Sequence, residues 1–268
     1  MRKISRQKGF TLIELIIVII LIGILAVSFT NITSTAVFSY IDAKDRNRLS
    51  QSGKWLMERV SREVREALPQ SIRSGNSINV HCVEFMNIVN ASSYLNLPAT
   101  GAVSSFDAVG FDLSFSAGLL VAVMPIDPTT TYTVAGTLGN VASIVPSGSQ
   151  STINLSAPTT FDRRSPQDRF YLLDTPVSYC LNDNNGEVNR YTGYAITAAQ
   201  VFPPAGGTTE LMGEDFSANG TVFNYQPGTL SRAGILQINF RLQNRDRNLA
   251  GNDESFEIFH EVHVRNVP

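Results

Sequence analysis

Residues 8–29 of the chain read KGFTLIELIIVIILIGILAVSF, and this stretch decides the architecture of the whole protein. Residues 15–41 contain no charged residue, and the strongly apolar part of the run is about 20 residues long, the length that a helix needs to cross a bilayer. A secretory signal peptide would end in a small-residue cleavage site, and residues 26–28 (AVS) match such a site only weakly. The run therefore predicts a transmembrane helix over about residues 10–30.

The formal net charge of −2 hides an asymmetry between the N-terminus and the rest of the chain. Four basic residues and no acid lie in the first eight positions, so residues 9–268 together carry −6. A basic tip ahead of an apolar helix stays in the cytoplasm under the positive-inside rule. The acidic remainder offers no basic surface for nucleic acid, so we expect no nucleic-acid partner.

One carboxylate, Glu14, lies near the start of the apolar run, where a charge is costly and therefore predicts a function and a partner. The residues around it, KGFTLIE (residues 8–14), resemble the processing site of type IV prepilins and type II secretion pseudopilins. The resemblance covers residues 1–30. It implies that prepilin peptidase cuts between Gly9 and Phe10 and methylates the new amine of Phe10. It also implies that Glu14 pairs with the terminal amine of a neighbouring subunit, which makes it an assembly residue.

The helical pattern continues beyond the membrane segment. Apolar and small residues recur at spacings of three and four, which is one face of an α-helix, at Leu49, Gly53, Leu56, Val60, Val64 and Ala67. Pro69 ends this pattern. With the resemblance, this divides the chain into a leader (residues 1–9), an N-terminal helix (residues 10–69) and a β-rich body (residues 70–268).

The body is rich in Gly, Ser, Thr, Asn and Pro and contains short alternating runs. These runs predict strands over residues 78–85, 106–114, 119–124, 169–173, 177–181, 187–194, 234–243 and 255–264. Stretches near residues 126–167 and 197–233 are predicted to be loop insertions. The sequence thus predicts an α+β, pilin-like fold, in which a long N-terminal helix with a transmembrane first half packs on a mainly antiparallel β-sheet body.

Two body segments give a narrower resemblance. FYLLDTPVSYCLNDNNGEVNRY (residues 170–191) and FHEVHVRNVP (residues 259–268) are similar to larger minor prepilins of the mannose-sensitive haemagglutinin (MSHA) pilus, of the MshO type. They also resemble J-type pseudopilins and W-type minor pilins. The resemblance implies a minor pilin that helps to initiate or cap a pilus, with the body in the periplasm and then at the cell surface.

Its implied partners are other major and minor pilins, prepilin peptidase and the inner-membrane assembly platform.

Three alternatives to the minor pilin function stay open: a type II secretion pseudopilin, a signal-anchored receptor or adhesin that never polymerises, and an anchored periplasmic enzyme.

Cys82 and Cys180 are the two cysteines, and neither belongs to a CxxC pair. Both fall in predicted strands. In an oxidising periplasm a disulfide between them is favoured over two buried free thiols.

The remaining polar residues give weaker signals. His260 and His263 are three apart on a predicted strand and so point to opposite faces, which disfavours a zinc site there. His81 lies alone in another predicted strand. The sequence contains no nucleophile elbow, P-loop or dinucleotide fingerprint, so we expect no catalysis and no cofactor.

Four acids in Asp- and Asn-rich turns could supply oxygen ligands for calcium: Asp183, Asp246, Asp253 and Glu254. Their spacing does not match the EF-hand pattern. Turn chemistry explains them more simply, so calcium binding stays a minor alternative.

Overall fold

The computed structural model describes residues 9–98, 100–112, 118–133, 138–229, 232–243 and 255–264. Helix α1 (Leu12–Glu66) is followed by one turn of 3-10 helix (Pro69–Ser71), and a short helix α2 (Pro128–Thr131) lies within the body. The strands in the described ranges are β1 (Arg73–Asn76), β2 (Val80–Phe85), β3 (Ile88–Ser93), β4 (Ala102–Val109), β5 (Leu120–Ala122), β6 (Leu138–Ser147), β7 (Gln150–Thr160), β8 (Arg169–Leu173), β9 (Val177–Asn182), β10 (Glu187–Thr192), β11 (Thr208–Gly213), β12 (Phe216–Gln226), β13 (Gly234–Gln243) and β14 (Ser255–Val264).

Local interactions explain where α1 begins and where it ends. At the start, the hydroxyl of Thr11 accepts a hydrogen bond from the backbone N–H of Glu14 at 3.4 Å, which caps the first turn. At the end, Leu68 is extended, with a ψ of 116°, because the following Pro69 disfavours helical geometry in the residue before it. The chain divides into two compact units, Met1–Arg48 and Leu49–Pro268, and their boundary falls inside α1.

Two sheets of the second unit pack on the end of α1. One is five-stranded, in the order β1-β2-β9-β10-β11, and the other is three-stranded, in the order β12-β13-β14. Leu56, Val60 and Val64 share one core with inward side chains of both sheets. The predicted helix face is therefore the buried face, and burying each of these side chains stabilises the fold by about 1.5–3 kcal/mol.

Strand β13 shows why these segments form sheet. Its residues alternate between buried and half-buried positions along the whole strand, the period-two pattern of a strand with one face on the core. Every strand pair in the described residues is antiparallel. The predicted α+β fold, a long apolar helix with an antiparallel β-sheet body, is confirmed.

The other six strands form a separate sheet with its own core, in the order β3-β8-β5-β6-β7-β4. Its two outer strands come together through a bridge between Tyr94 and Ala108, and the N–H of Leu95 donates to the carbonyl of Asp107 at 2.7 Å. The sheet thus curls back on itself. All six strands lie in the chain between β2 and β9, which are direct neighbours in the five-stranded sheet, so the six-stranded sheet is an insertion between them.

The predicted loop insertions at residues 126–167 and 197–233 are wrong as loops. The first stretch contains β6 and β7, and the second contains β11 and β12. These strands are rich in Ser, Thr and Asn and expose much of their length, so their apolar alternation is weak in the sequence. Pairing with neighbouring strands, rather than an apolar stripe, makes them sheet.

A disulfide joins Cys82 to Cys180, whose Cα atoms lie 4.1 Å apart. The two residues stand directly opposite each other in the β2–β9 pair. The six-stranded insertion begins after β2 and ends before β9. The disulfide therefore links the two chain segments that enter and leave the insertion, which we call its neck. The predicted disulfide is confirmed, and the chain contains no other cysteine.

Candidate processing and assembly site

Gly9 and Phe10 lie immediately before α1, outside regular secondary structure. Apart from Gly9 itself and its chain neighbours, no heavy atom of the described residues lies within 4 Å of the position that a Cβ would take at Gly9, and Phe10 is 78% exposed. The peptide bond between them is therefore open on the side of Gly9. A glycine at this position lets a narrow enzyme site approach the backbone closely.

Glu14 lies on the first turn of α1, where its negative charge is favoured by the positive end of the helix dipole. Its side chain is exposed. Within the described part of the chain it takes part in no ion pair. A carboxylate in an apolar segment needs a cation, and the described residues of its own chain do not provide one.

The apolar segment that follows is long enough and hydrophobic enough to cross a membrane. Its most apolar window has a mean hydropathy of 3.1, and none of that window is buried. The core helix of a soluble protein would bury most of this surface. An apolar helix that is exposed on all sides requires lipid or other apolar helices around it.

Comparison with known families matches residues 4–30 to the family described as prokaryotic N-terminal methylation motif. This chain has a type IV prepilin-like N-terminus. The motif and the apolar helix together are those of a pilin- or pseudopilin-like precursor that a single helix anchors in the membrane. No curated protein and no solved structure matches the chain.

The prepilin-like helix has a second charged site near its end, which the sequence did not indicate as one. Glu63 accepts from Arg59 at 2.8 Å and from Arg190 on β10 at 3.1 Å. Arg190 also contacts Glu210 on β11 at 3.1 Å. Partial burial would lower the pKa of Arg190, but the charge and hydrogen bond of Glu63, together with Tyr179 and Glu210, raise it. This cluster fastens the helix to the five-stranded sheet.

A buried polar cluster in the body was also missed. Glu84 is 2% exposed and accepts from Arg73 at 2.7 Å and from the Tyr194 hydroxyl at 3.1 Å. Arg73 lies over the ring of Tyr132, 3.6 Å from its centroid. Burial, with the nearby Glu84 carboxylate, raises the pKa of Tyr194 far above its usual range. Arg73, Glu84 and Tyr194 are each hydrogen-bonded, whereas the buried hydroxyl of Tyr132 has no hydrogen-bond partner among the described residues. Through the contact of Arg73 with the Tyr132 ring, the cluster joins the five-stranded sheet to the residues around α2.

The sequence could not have paired these residues. Arg73 and Glu84 face each other across β1 and β2, and Tyr194 arrives from a loop 110 residues further along the chain. The one usable signal was Glu84 itself, an acid among the apolar residues of β2. A buried acid at such a position predicts a partner without naming it.

The three histidines do not converge on one site. His260 is half-buried and His263 is exposed on β14, which confirms that they point to opposite faces, and His81 lies on β2 in another sheet. The Asp183 carboxylate accepts from the N–H of Ala218 on β12 at 2.9 Å, which joins the turn after β9 to a strand 35 residues away in the chain.

The other acids of the calcium alternative, Asp246, Asp253 and Glu254, lie outside the described residues. Across the described ranges, no group of three or more His, Cys, Asp or Glu side chains could hold a metal ion.

Proposed function

We propose that this chain is a filament subunit, a minor pilin of an MSHA-type type IV pilus. Prepilin peptidase cuts it between Gly9 and Phe10 and methylates the amine of Phe10. The observation that carries the filament-subunit part of this proposal is the methylation motif at residues 4–30, joined directly to an apolar helix that is exposed on every side. The MSHA-type minor role is supported by the resemblance of residues 170–191 and 259–268.

The first turn of α1 explains why cutting and assembly are linked. The cut creates a positive amine at Phe10, four residues before Glu14. A charge buried alone in an apolar helix bundle costs several kcal/mol, and pairing with an opposite charge offsets that cost. Glu14 takes part in no ion pair within the described residues, so the amine of a neighbouring subunit is the partner we assign to it. Uncut chains lack that amine and do not register correctly.

The size of the body supports a minor role. A six-stranded sheet inserted between β2 and β9 enlarges the body and would hinder close packing in every layer of a filament. Such a subunit fits best at low copy, where it helps to initiate or cap the pilus. Its partners are other major and minor pilins, prepilin peptidase and the inner-membrane assembly platform.

The precursor sits in the inner membrane with its body in the periplasm, and the assembled form reaches the cell surface.

A type II secretion pseudopilin is the second candidate function, because proteins of that class carry the same motif and helix. Recovery of the chain from sheared surface filaments favours the pilus. Retention in the cell envelope together with failure of protein secretion in a deletion strain favours the pseudopilin.

The decisive experiment is the N-terminus of the chain in cells with and without active prepilin peptidase. We expect mass spectrometry to find N-methylated Phe10 at the mature terminus when the peptidase is active, and Met1 when it is not. A chain that begins at Met1 in the presence of the peptidase would refute the proposal.

Two variants separate cutting from assembly. Glu14→Val should be cut normally and be lost from filaments. Asp162→Val, at an exposed acid of the body, should be cut and assembled normally. Normal incorporation of Glu14→Val would remove the pairing role.

A further inference from the structure

Two Asn-Gly pairs occur in the chain, at residues 185–186 and 219–220. In such a pair the backbone nitrogen of the glycine can attack the side-chain amide carbon of the asparagine, because glycine has no side chain to obstruct the approach. By sequence the two pairs are equally susceptible to this reaction. The structure separates them, because their backbones and side chains are held differently.

The pair Asn185–Gly186 is fixed in the turn between β9 and β10. The N–H of Gly186 donates to the carbonyl of Asn182 at 2.9 Å, and the side-chain oxygen of Asn185 accepts from the N–H of Glu187 at 3.1 Å. Gly186 is buried, and its carbonyl accepts from the N–H of Phe216 at 3.0 Å. Both reacting groups are therefore held by the turn, and the nitrogen cannot approach the amide carbon without breaking it.

The pair Asn219–Gly220 lies in a bulge of β12. The register of the β12–β13 pair shifts between Ala218 and Phe223, so residues 219–222 have no partner residue on β13. Gly220 is exposed, and no described atom beyond its own chain neighbours lies within 4 Å of the position that a Cβ would take there. The bulge therefore leaves room for the Gly220 nitrogen to turn toward the Asn219 side chain, and it lets water reach the pair.

Arg241 on β13 places a positive charge at the reacting amide. Its Nη2 donates to Oδ1 of Asn219 at 3.3 Å, and the same nitrogen contacts Glu257 on β14 at 3.1 Å. Attack on the amide carbon develops negative charge on Oδ1, and a cation beside that oxygen stabilises the charge as it forms. At Asn185 the corresponding donor is a neutral backbone N–H. The bulge thus supplies both the freedom and the electrostatic stabilisation that the turn lacks.

We propose that Asn219 is a site of self-catalysed deamidation. The nitrogen of Gly220 forms a bond to Cγ of Asn219, the bond between Cγ and Nδ2 breaks, and ammonia leaves with the proton of the Gly220 N–H. Water then opens the cyclic imide at one of its two carbonyl groups, which gives aspartate or isoaspartate at position 219. Nothing is oxidised or reduced, and water is the only co-reactant.

The product changes the charge on the outer face of the three-stranded sheet. A carboxylate at position 219 competes with Glu257 for Arg241, and both of those side chains are exposed enough to rearrange. Isoaspartate also lengthens the backbone of the bulge by one atom. The conversion therefore marks the age of a subunit. It concerns the body alone and does not depend on the proposed function.

Peptide mass spectrometry of the full-length chain in detergent tests the proposal. The folded chain is incubated at neutral and mildly alkaline pH, and the fraction of acid is followed at positions 219 and 185. Isoaspartyl methyltransferase detects the isoaspartate product. We expect Asn219 to convert many-fold faster than Asn185 in the folded chain. Equal rates in the folded chain, or faster conversion at Asn185, would overturn the proposal.

The unfolded chain is the matched control. In guanidinium chloride the turn and the bulge are both lost, and the two Asn-Gly pairs should convert at similar rates. A many-fold preference for Asn219 that persists in the unfolded chain would mean that the fold does not select the site.

Two variants test the residues themselves. Arg241→Met should slow conversion at Asn219 several-fold and leave Asn185 unchanged, while an equal or higher rate at Asn219 would remove the role of the cation. Asn219→Gln should abolish the acid and isoaspartate signals from this segment of β12. Persistence of those signals would assign them to another residue. Circular dichroism of both variants checks that the body is folded.

Discussion

The two ends of helix α1 differ in how their apolar side chains are covered, although the helix is continuous. Residues 15–41 carry no charge, and the apolar side chains there are exposed on every side of the helix. In the last turns, Leu56, Val60 and Val64 form one buried stripe, and Glu63 is held by two arginines. The first part needs apolar surroundings that the described residues do not supply. The second part packs on the protein's own sheets.

This difference teaches that helical periodicity separates a membrane or assembly helix from a core helix more clearly than hydrophobicity does. A stripe about 100° wide indicates one buried face, while a helix that is apolar all round indicates that every face is covered by something else. Substitutions at matched positions in the two parts test this distinction.

The largest expected contrast is between two glycines of α1. A side chain at Gly53 would clash with Ile258 of β14 and touch Leu242 of β13. At Gly23, no described atom beyond the adjacent helix backbone lies within 4 Å of the same position. We expect Gly53→Leu to cost about 3 kcal/mol or more, or to prevent folding, and Gly23→Leu to leave the body unchanged. Urea unfolding of the full chain in detergent, followed by circular dichroism, measures both. Equal loss in the two variants would contradict the comparison.

The next contrast removes apolar volume. Leu56 is fully buried and Ile20 is exposed. Leu56→Ala should lower the free energy of unfolding by about 2–5 kcal/mol, because the core cannot close the cavity. Ile20→Ala should leave that free energy unchanged in the same assay. A neutral Leu56→Ala variant would show that the helix end does not anchor the body.

A smaller contrast concerns the two acids. Glu63→Gln removes the carboxylate that Arg59 contacts and leaves Arg190 with Glu210 alone, and we expect a loss of about 2 kcal/mol in the same unfolding assay. Glu14→Gln should not change unfolding of the body, and its effect should appear only in filament incorporation. Equal shifts of the unfolding midpoint in the two variants would mean that both carboxylates stabilise the body.

The smallest effect is a pH dependence. Residues 15–41 contain no group that titrates between pH 5 and 8, so this segment contributes no pH dependence in that range. Partial burial lowers the pKa of His81 below its usual 6.5, against the opposing charge of Asp183. The unfolded chain therefore binds a proton more readily, and the contribution of His81 is complete above pH 6.5 and lost as pH falls through the lowered value.

His81→Asn should flatten the decline in melting temperature between pH 7 and pH 5 by a small amount. The matched control is His263→Asn, an exposed histidine, which should leave the slope as it is. An unchanged slope in His81→Asn would exclude this residue as a source of the decline.

The sequence predicted the parts of the fold whose signal is local. The bounds of β8, β13 and β14 agree with the predicted strands, because apolar alternation and flanking turns mark them. Gly9, Phe10 and Glu14 stand in one short motif, so this candidate site was found without a structure.

What the sequence could not predict depends on residues far apart in the chain. Strands β6 and β7 carry polar residues on exposed faces, and they become sheet by pairing, which leaves little trace in composition. The meeting of β3 with β4 and the cluster around Glu84 likewise join segments that no local pattern connects. The groove between the end of α1 and β14 likewise forms only when the helix packs beside that strand.

The disulfide at the neck of the six-stranded insertion has a mechanical consequence. Cys82 and Cys180 are 98 residues apart in the chain but only 4.1 Å apart in space. A pull applied along the backbone crosses from β2 to β9 through this covalent link and bypasses the insertion. About 340 Å of extended chain is thereby withheld from stretching. A filament under load could lengthen by unravelling other parts of this subunit, while the insertion would keep its shape.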